Sequence, residues 1–396
     1  MLLQLGLERL ANNPHLAQDW GRCGLVCNQA SVDRHFTPSW RVCQQVLGQR
    51  LTALFGPQHG FESAVQDNMI ETGHALHGPT GLPIYSLYSE FRTPTEKMLE
   101  QIDTIVVDLP IVGCRVYTYK YTMAGCLRAA KEWGKRVVVL DRPNPLGGIL
   151  VGGRVLDMDH RSFVGEFPLP MRHGLSVAEA ARFFNHSIGA TLEVVSLQGW
   201  RPEALWHELG RPWVLTSPNL PSIDPVYLFP GTVLLEGTNL SEGRGTGLPF
   251  QFVGAPYIDD ANVFTQRVRE LYGDSGDVYL RPTIFQPTSQ KWQGQTCSGC
   301  QIHVLTPQKV RAYQLGLAII RAGIELGGRN FAWKQPPYEY EHTKLPIRLL
   351  VGSKDSDTKF EAGSFSLDDD YWTWGLDQYL SDIAPFLLYP RDQATA

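Results

Sequence analysis

Four short apolar runs in the first 150 residues constrain the fold most: CGLVCN from Cys23, TALFG from Thr52, TIVVDLP from Thr104 and RVVVLD from Arg136. None alternates apolar with polar residues, as a strand with one wet face would. They predict strands covered on both faces, the arrangement of a parallel sheet flanked by helices. The intervening stretches supply the helices. TPTEKMLEQI has Thr95 placed as an N-cap, YTMAGCLRAAKEWG ends at Gly134, and LSVAEAARFFN opens on a capping box of Ser176 with Glu179. TLEVVSL follows as a further apolar run. Beyond Pro256 the pattern changes to a helix near 260–272, strand-like segments around FQPTS and CQIHVL, and a helix near 307–326. The reading is an α/β fold with a domain junction near residue 254, dividing the chain into 1–253 and 254–396.

Composition narrows the function classes. With 35 basic against 40 acidic residues the net charge is -5, and the basic residues are scattered, so no nucleic-acid footprint is present. No apolar run approaches the roughly 18 residues of a membrane span. The apolar N-terminus is broken by Glu8 and Arg9 and does not read as a signal peptide, so the expected location is cytoplasmic, or exported if a leader has been removed. Seven scattered cysteines suit free thiols. Cys297 and Cys300 form a CxxC, but no second pair completes a zinc site, so no metal or cofactor is expected. No GxGxxG follows the first strand, which argues against a nucleotide binder.

In open α/β sheets ligands bind outside the carboxyl ends of the strands, where FGPQHGF, DLPIVGCRVYTY and DRPNPLGG are expected to meet on one rim. The first loop offers Gln58 and His59, a histidine suited to acid or base work. The second offers Asp108, Arg115 and Tyr117, with the alternative that Arg115 simply pairs with Asp108. Asn144, His173 and Asn219 are polar residues framed by proline or glycine in rigid turns. The densest candidate is PGTVLLEGTNLSEGRGTGLPFQFVGAP, residues 230–256, where Glu236, Glu242 and Arg244 lie among the glycines at 231, 237, 243, 245 and 247. Glycine at that spacing predicts an irregular loop, neither helix nor plain strand, able to aim those side chains into a cleft. A solvated Glu–Arg pair on a surface loop is the alternative.

The ordered series GLVCNQ, FGPQHGF, TGLPIYSLY, DLPIVGCRVYTY, LDRPNPLGG, SFVGEFPLPMRHG, SPNLP and the 230–256 stretch resembles the exo-β-N-acetylmuramidase family, from about Gly24 to the C-terminal LLYPR. The resemblance implies a Rossmann-like N-terminal domain, a smaller C-terminal α+β domain, and release of non-reducing-end N-acetylmuramic acid from peptidoglycan fragments, with a sugar or muropeptide as the partner. The sugar's lactyl carboxylate calls for arginine, for which Arg115 and Arg244 are candidates. Glycoside hydrolysis normally uses two carboxyl groups, and Glu236 and Glu242 are present, with His59, Tyr117 and Asn219 placed to hold hydroxyls. This chain departs from the family pattern at three acidic positions. The family's GPEHG glutamate is Gln58, the second aspartate of its DIQDVG-type stretch is Ile111, and its VEG-type glutamate is Gly152. Two readings follow: a glycosidase with Glu242 or Glu236 as the acid, or a relative that binds muropeptides without cleaving them.

Overall fold

The four apolar runs are adjacent strands of one sheet. In the computed structural model, which describes residues 2–66, 69–273 and 275–391, the strands are β1 (Cys23–Val26), β2 (Leu51–Gly56), β3 (Ala75–Leu76), β4 (Pro83–Ser86), β5 (Thr104–Val107), β6 (Arg136–Leu140) and β7 (Thr191–Val195). They are ordered β3-β4-β2-β1-β5-β6-β7, and every pairing is parallel except β3 with β4. The lack of alternation has its expected cause. On β5, Ile105 and Val107 join one core cluster with Ala124 and Leu127 of the helix Tyr119–Glu132 and Phe184 of the helix Val177–Ile188. Val106, between them, joins the opposite cluster with Leu7 of the helix Gly6–Asn12 and Val42 of the helix Ser39–Leu47. Successive side chains leave a strand on opposite faces, so only a strand buried twice uses apolar residues at every position.

The helix Val177–Ile188 starts at the predicted capping box: the Ser176 hydroxyl accepts from the Glu179 amide, and the Glu179 carboxylate accepts from the Ser176 amide. Thr95 caps as expected, although its helix is only Glu96–Leu99.

The start of the 230–256 stretch differs from expectation. The helix Ile223–Thr232 runs through Pro230 and Gly231 and continues as a 3-10 turn, Val233–Gly237. Gly231 serves packing here rather than bending. A Cβ on it would lie 1.6 Å from the Ala312 carbonyl oxygen, and one on Gly316 would lie 2.3 Å from the Gly231 carbonyl, so the glycines let this helix cross the helix Ala312–Gly327 at backbone contact. Glycines that permit close approach and glycines that permit positive φ look alike in sequence. Farther on, Gly243 and Gly245 do take positive φ, 79° and 78°.

The C-terminal part carries a three-stranded antiparallel sheet ordered β8-β10-β9, from β8 (Phe252–Ala255), β9 (Val278–Phe285) and β10 (Cys297–Val304). Of the FQPTS segment only Phe285 belongs to a strand. Among the described residues no helix is long and apolar enough to cross a membrane.

Candidate functional site

Gln58 and His59 follow the carboxyl end of β2, and Tyr117 lies on the connection after β5, so both reach the expected rim of the sheet. They line a narrow pocket of about 50 Å³ with Asn219, Glu236, Arg244, Tyr338 and Glu339. The third loop of the expected rim does not reach it. Asn144 is fully buried, accepting from the Leu146 amide and donating to the Leu175 carbonyl, and so holds its own turn.

His59 is held in the left-handed region at φ 69°, with Nδ1 2.7 Å from the Val65 carbonyl. A carbonyl only accepts, so Nδ1 carries the hydrogen and Nε2 is the free acceptor. Burial pushes this imidazole down to about 4, so near neutral pH it is an uncharged group.

The central carboxyl of the pocket is one that sequence reasoning missed. Tyr338 and Glu341 exchange two backbone hydrogen bonds of 2.9 Å, which places Glu339 and Tyr340 at the tip of a tight turn with φ 45° and 69°. Both central residues of such a turn need positive φ, normally the work of Asn and Gly. Here a glutamate and a tyrosine take it, a strained backbone of the kind stored at functional sites. Tyr340 is clamped by Arg92, whose guanidinium carbon lies 3.4 Å from the ring centroid. Glu339 points inward. Its Oε1 accepts from the Gln58 amide at 3.3 Å and its Oε2 from the Tyr88 hydroxyl at 3.1 Å. Burial, with the charge of Glu236 next, raises Glu339 to about 7 against the opposing Tyr88 and Gln58 hydrogen bonds.

Glu339 accepts both of these hydrogen bonds. The Gln58 amide nitrogen also donates to the Tyr88 hydroxyl at 3.1 Å, and its carbonyl oxygen accepts from Thr118 at 2.5 Å. The Tyr88 oxygen accepts from both Gln58 and the Met69 amide, which uses its acceptor capacity. A proton on Glu339 therefore has no acceptor in Gln58 or Tyr88.

Glu236 and Glu242 are brought together, as the 230–256 stretch suggested, with Arg244 between them. Arg244 Nη2 lies 2.6 Å from Glu236 and Nη1 3.0 Å from Glu242. Tyr338 donates to the second oxygen of Glu236 at 2.6 Å. Lys291 caps the other end, 2.8 Å from Glu242 and bonded to the Leu235 and Leu240 carbonyls. All three members of the Glu–Arg–Glu cluster are nearly buried, which sets aside a solvated surface pair. The carboxylates differ in position and charge. Burial would raise Glu242, but Lys291 and Arg244 outweigh it and hold the carboxyl at about 2. Glu242 faces an adjoining cleft rather than the pocket; Glu236 lines both.

Three further candidates lie away from the pocket. Arg115 is completely buried and donates to the Leu349, Leu350 and Val351 carbonyls, closing the C-terminus of the helix Pro346–Val351. Asp108 holds Arg142, not Arg115, through two bonds of 2.6 and 2.8 Å. The clamp expected of Arg115 is thus spent on helix capping, and the Asp108–Arg115 alternative fails too. His173 is buried, with Nδ1 accepting from the Leu175 amide and its carbonyl from Tyr379. Asn219 does line the pocket and donates to the Gln66 carbonyl. Of the three positions where the chain departs from the family's acids, only Gln58 reaches the pocket. Ile111 sits by Pro110 in a separate apolar pocket, and Gly152 pairs by backbone with Arg172.

Cys297 and Cys300 are free buried thiols on β10, and no group of three or more His, Cys, Asp or Glu side chains able to hold a metal occurs among the described residues.

Comparison with known proteins gives the family. Residues 23–224 match the profile of the N-terminal domain of the exo-beta-N-acetylmuramidase NamZ, and residues 227–389 that of its C-terminal domain. The peptidoglycan beta-N-acetylmuramidase NamZ of Bacillus subtilis (strain 168) is 38% identical over 331 residues, 83% of this chain and 79% of that protein. Two crystal structures of DUF1343 family proteins from Bacteroides fragilis NCTC 9343 share the fold. One superposes with a TM-score of 0.86 at 28% identity, over 98% of this chain and 99% of its own. The other gives 0.74 at 24% identity, over 99% and 100%. With both domains matched in order along one chain, the protein belongs to the exo-β-N-acetylmuramidase NamZ family of peptidoglycan glycosidases.

Proposed function

We propose that the protein is an exo-acting β-N-acetylmuramidase that releases non-reducing-end N-acetylmuramic acid, with Glu339 as the proton donor. The observation that carries this reading is the placement of the Glu339 carboxyl 3.3 Å from the Gln58 amide, where the family's usual GPEHG glutamate is absent. A carboxyl group is thus still at that corner of the pocket, supplied by a different part of the chain. Glu339 has the properties of an acid poised near neutral pH: burial, a raised pKa, and a place on the pocket wall. It protonates the leaving glycosidic oxygen. Glu236, held by Arg244 and Tyr338, supplies the second carboxylate that stabilises the oxocarbenium-like transition state or activates the attacking group. His59 Nε2, Tyr117 and Asn219 hold hydroxyls of the sugar in the pocket.

Glu242 is the weaker acid candidate. A carboxyl held at about 2 by Lys291 and Arg244 has no proton to give, and its role is to fix Arg244.

The loss of an acid at position 58 also favours a second reading, a protein that binds muropeptides without cleaving them. Incubation with the β-linked disaccharide of N-acetylmuramic acid and N-acetylglucosamine, followed by mass spectrometry of the products, separates the two. Release of free N-acetylmuramic acid above the background of a Glu339→Ala variant supports catalysis. A disaccharide that binds and stays intact overturns it.

A further inference from the structure

Beside the pocket lies a cleft of about 470 Å³ that shares Glu236, Arg244 and Tyr338 as a common wall and is further lined by Trp292, Lys334 and Asn239. Its cations are not equivalent. Arg244 is spanned by two glutamates, and Lys291 by Glu242 and two carbonyls, so both are neutralised within the protein. Lys334 is exposed, and no carboxylate among the described residues pairs with it. Its ammonium lies 5.2 Å from the Tyr338 ring centroid, while its backbone amide is tied to the Gly237 carbonyl at 2.9 Å. The lysine is therefore anchored at its base beside the proposed catalytic wall and offers its charge to the cleft.

Another part of the cleft lining is built with unusual backbone. The loop joining β9 to β10 places both Gln290 and Trp292 in the left-handed region, at φ 67° and 61°, where a bulky side chain is uncommon. The buried hydrogen bonds of Lys291 hold the loop between them. The Trp292 ring nitrogen donates to the Asn239 carbonyl at 2.6 Å, which fixes the orientation of the indole. A pinned aromatic ring lining a cleft, with an uncompensated cation on the same lining, matches a saccharide that carries negative charge.

We propose that this cleft is the aglycone subsite and takes a carboxylate-bearing saccharide, with Trp292 as the surface on which a sugar ring rests and Lys334 as the partner of the carboxylate. The inference rests on the glycosidase reading above and assigns the part of the substrate beyond the scissile bond. Such a carboxylate has two sources, the lactyl group of a second muramic residue or a stem peptide attached to it.

Binding rather than turnover tests it, so an inactive enzyme does not obscure the answer. Calorimetry compares three probes: a disaccharide of N-acetylglucosamine and N-acetylmuramic acid with its lactyl carboxylate free, the same disaccharide methyl-esterified, and one whose lactyl group is amide-linked to a stem peptide. The full chain is expected to bind the free acid or the peptide form about two- to five-fold more tightly than the ester, the range of an exposed ion pair. Lys334→Met abolishes that preference, and Trp292→Ala weakens all three probes alike. A lysine-dependent gain for the free acid alone identifies the lactyl source, and a gain for the peptide form alone identifies the peptide. Equal binding of all three to the unaltered protein, or a preference that survives Lys334→Met, overturns the proposal. Turnover measured separately distinguishes the two failures: cleavage without charge preference removes only the subsite, and charge preference without cleavage removes only the catalytic reading.

Discussion

Replacing Glu339 with glutamine removes the transferable proton while keeping the side-chain shape. Loss of a positioned general acid lowers the rate by about 10²–10⁴, or roughly 2.7–5.5 kcal/mol of transition-state stabilisation. The structure also sets a secondary cost. Both oxygens of Glu339 accept hydrogen bonds, one from Gln58 and one from Tyr88, and a glutamine offers one carbonyl and one amide. One donor then faces another, which costs about 1–3 kcal/mol of stability. A melting curve reads that part. The catalytic part is read by comparing two substrates with the same N-acetylmuramic acid group: the natural disaccharide, whose sugar leaving group needs a proton, and a nitrophenyl glycoside, whose leaving group does not. The variant should lose the full factor on the disaccharide and less than about tenfold on the nitrophenyl substrate. Equal losses on both would place Glu339 outside leaving-group protonation, and unchanged disaccharide turnover would remove it from the mechanism.

Other perturbations separate the remaining roles. Gln58→Glu sets a second carboxyl beside Glu339, and two such groups cannot both ionise, so the alkaline limb of the pH–rate profile moves upward by about one pH or more; a limb that stays in place excludes Glu339 as its source. Arg115→Met removes three hydrogen bonds to helix-terminal carbonyls and is expected to cost about 3 kcal/mol of stability with KM unchanged, measured by thermal melting and steady-state kinetics. A raised KM without lost stability would return Arg115 to the substrate. Glu242→Gln leaves Arg244 and Lys291 without their shared counter-charge and should destabilise the fold by about 3 kcal/mol near neutral pH. Because the folded-state pKa of Glu242 is depressed, its contribution is present above its ordinary range near 4.5 and disappears as pH falls toward about 2, so the wild-type advantage over the variant in melting temperature should shrink in acid.

The sheet was legible because double burial leaves a local mark. Cys23–Val26, Leu51–Gly56, Thr104–Val107 and Arg136–Leu140 each carry apolar residues where a half-exposed strand would alternate. The Glu236–Glu242–Arg244 cluster was legible because all three members fall within nine residues among glycines that take special backbone. Glu339 was not. It is 281 residues from Gln58 along the chain, and only the tertiary fold brings the two together. Its one local signal is the rigid Pro336-Pro337 before Tyr338-Glu339, the same proline-framed pattern as in DRPNPLGG. That pattern pointed to Asn144, which turned out to hold its own turn, because prolines mark a fixed backbone without saying which way its side chains face. Arg115 misled for a related reason. A guanidinium suits a substrate carboxylate and a helix C-terminus equally well, and which of them it meets depends on the placement of the helix Pro346–Val351.

The proposed mechanism requires a proton donor that is a carboxyl raised to about 7. The pH dependence of kcat/KM for the natural disaccharide tests this directly, since it reports the ionisation of the free enzyme. The prediction is an alkaline limb that sets in near pH 7 and falls tenfold per pH above it, as the protonated form of Glu339 is depleted. Activity that already falls above about 4.5, the range of an ordinary glutamate, would contradict the assignment.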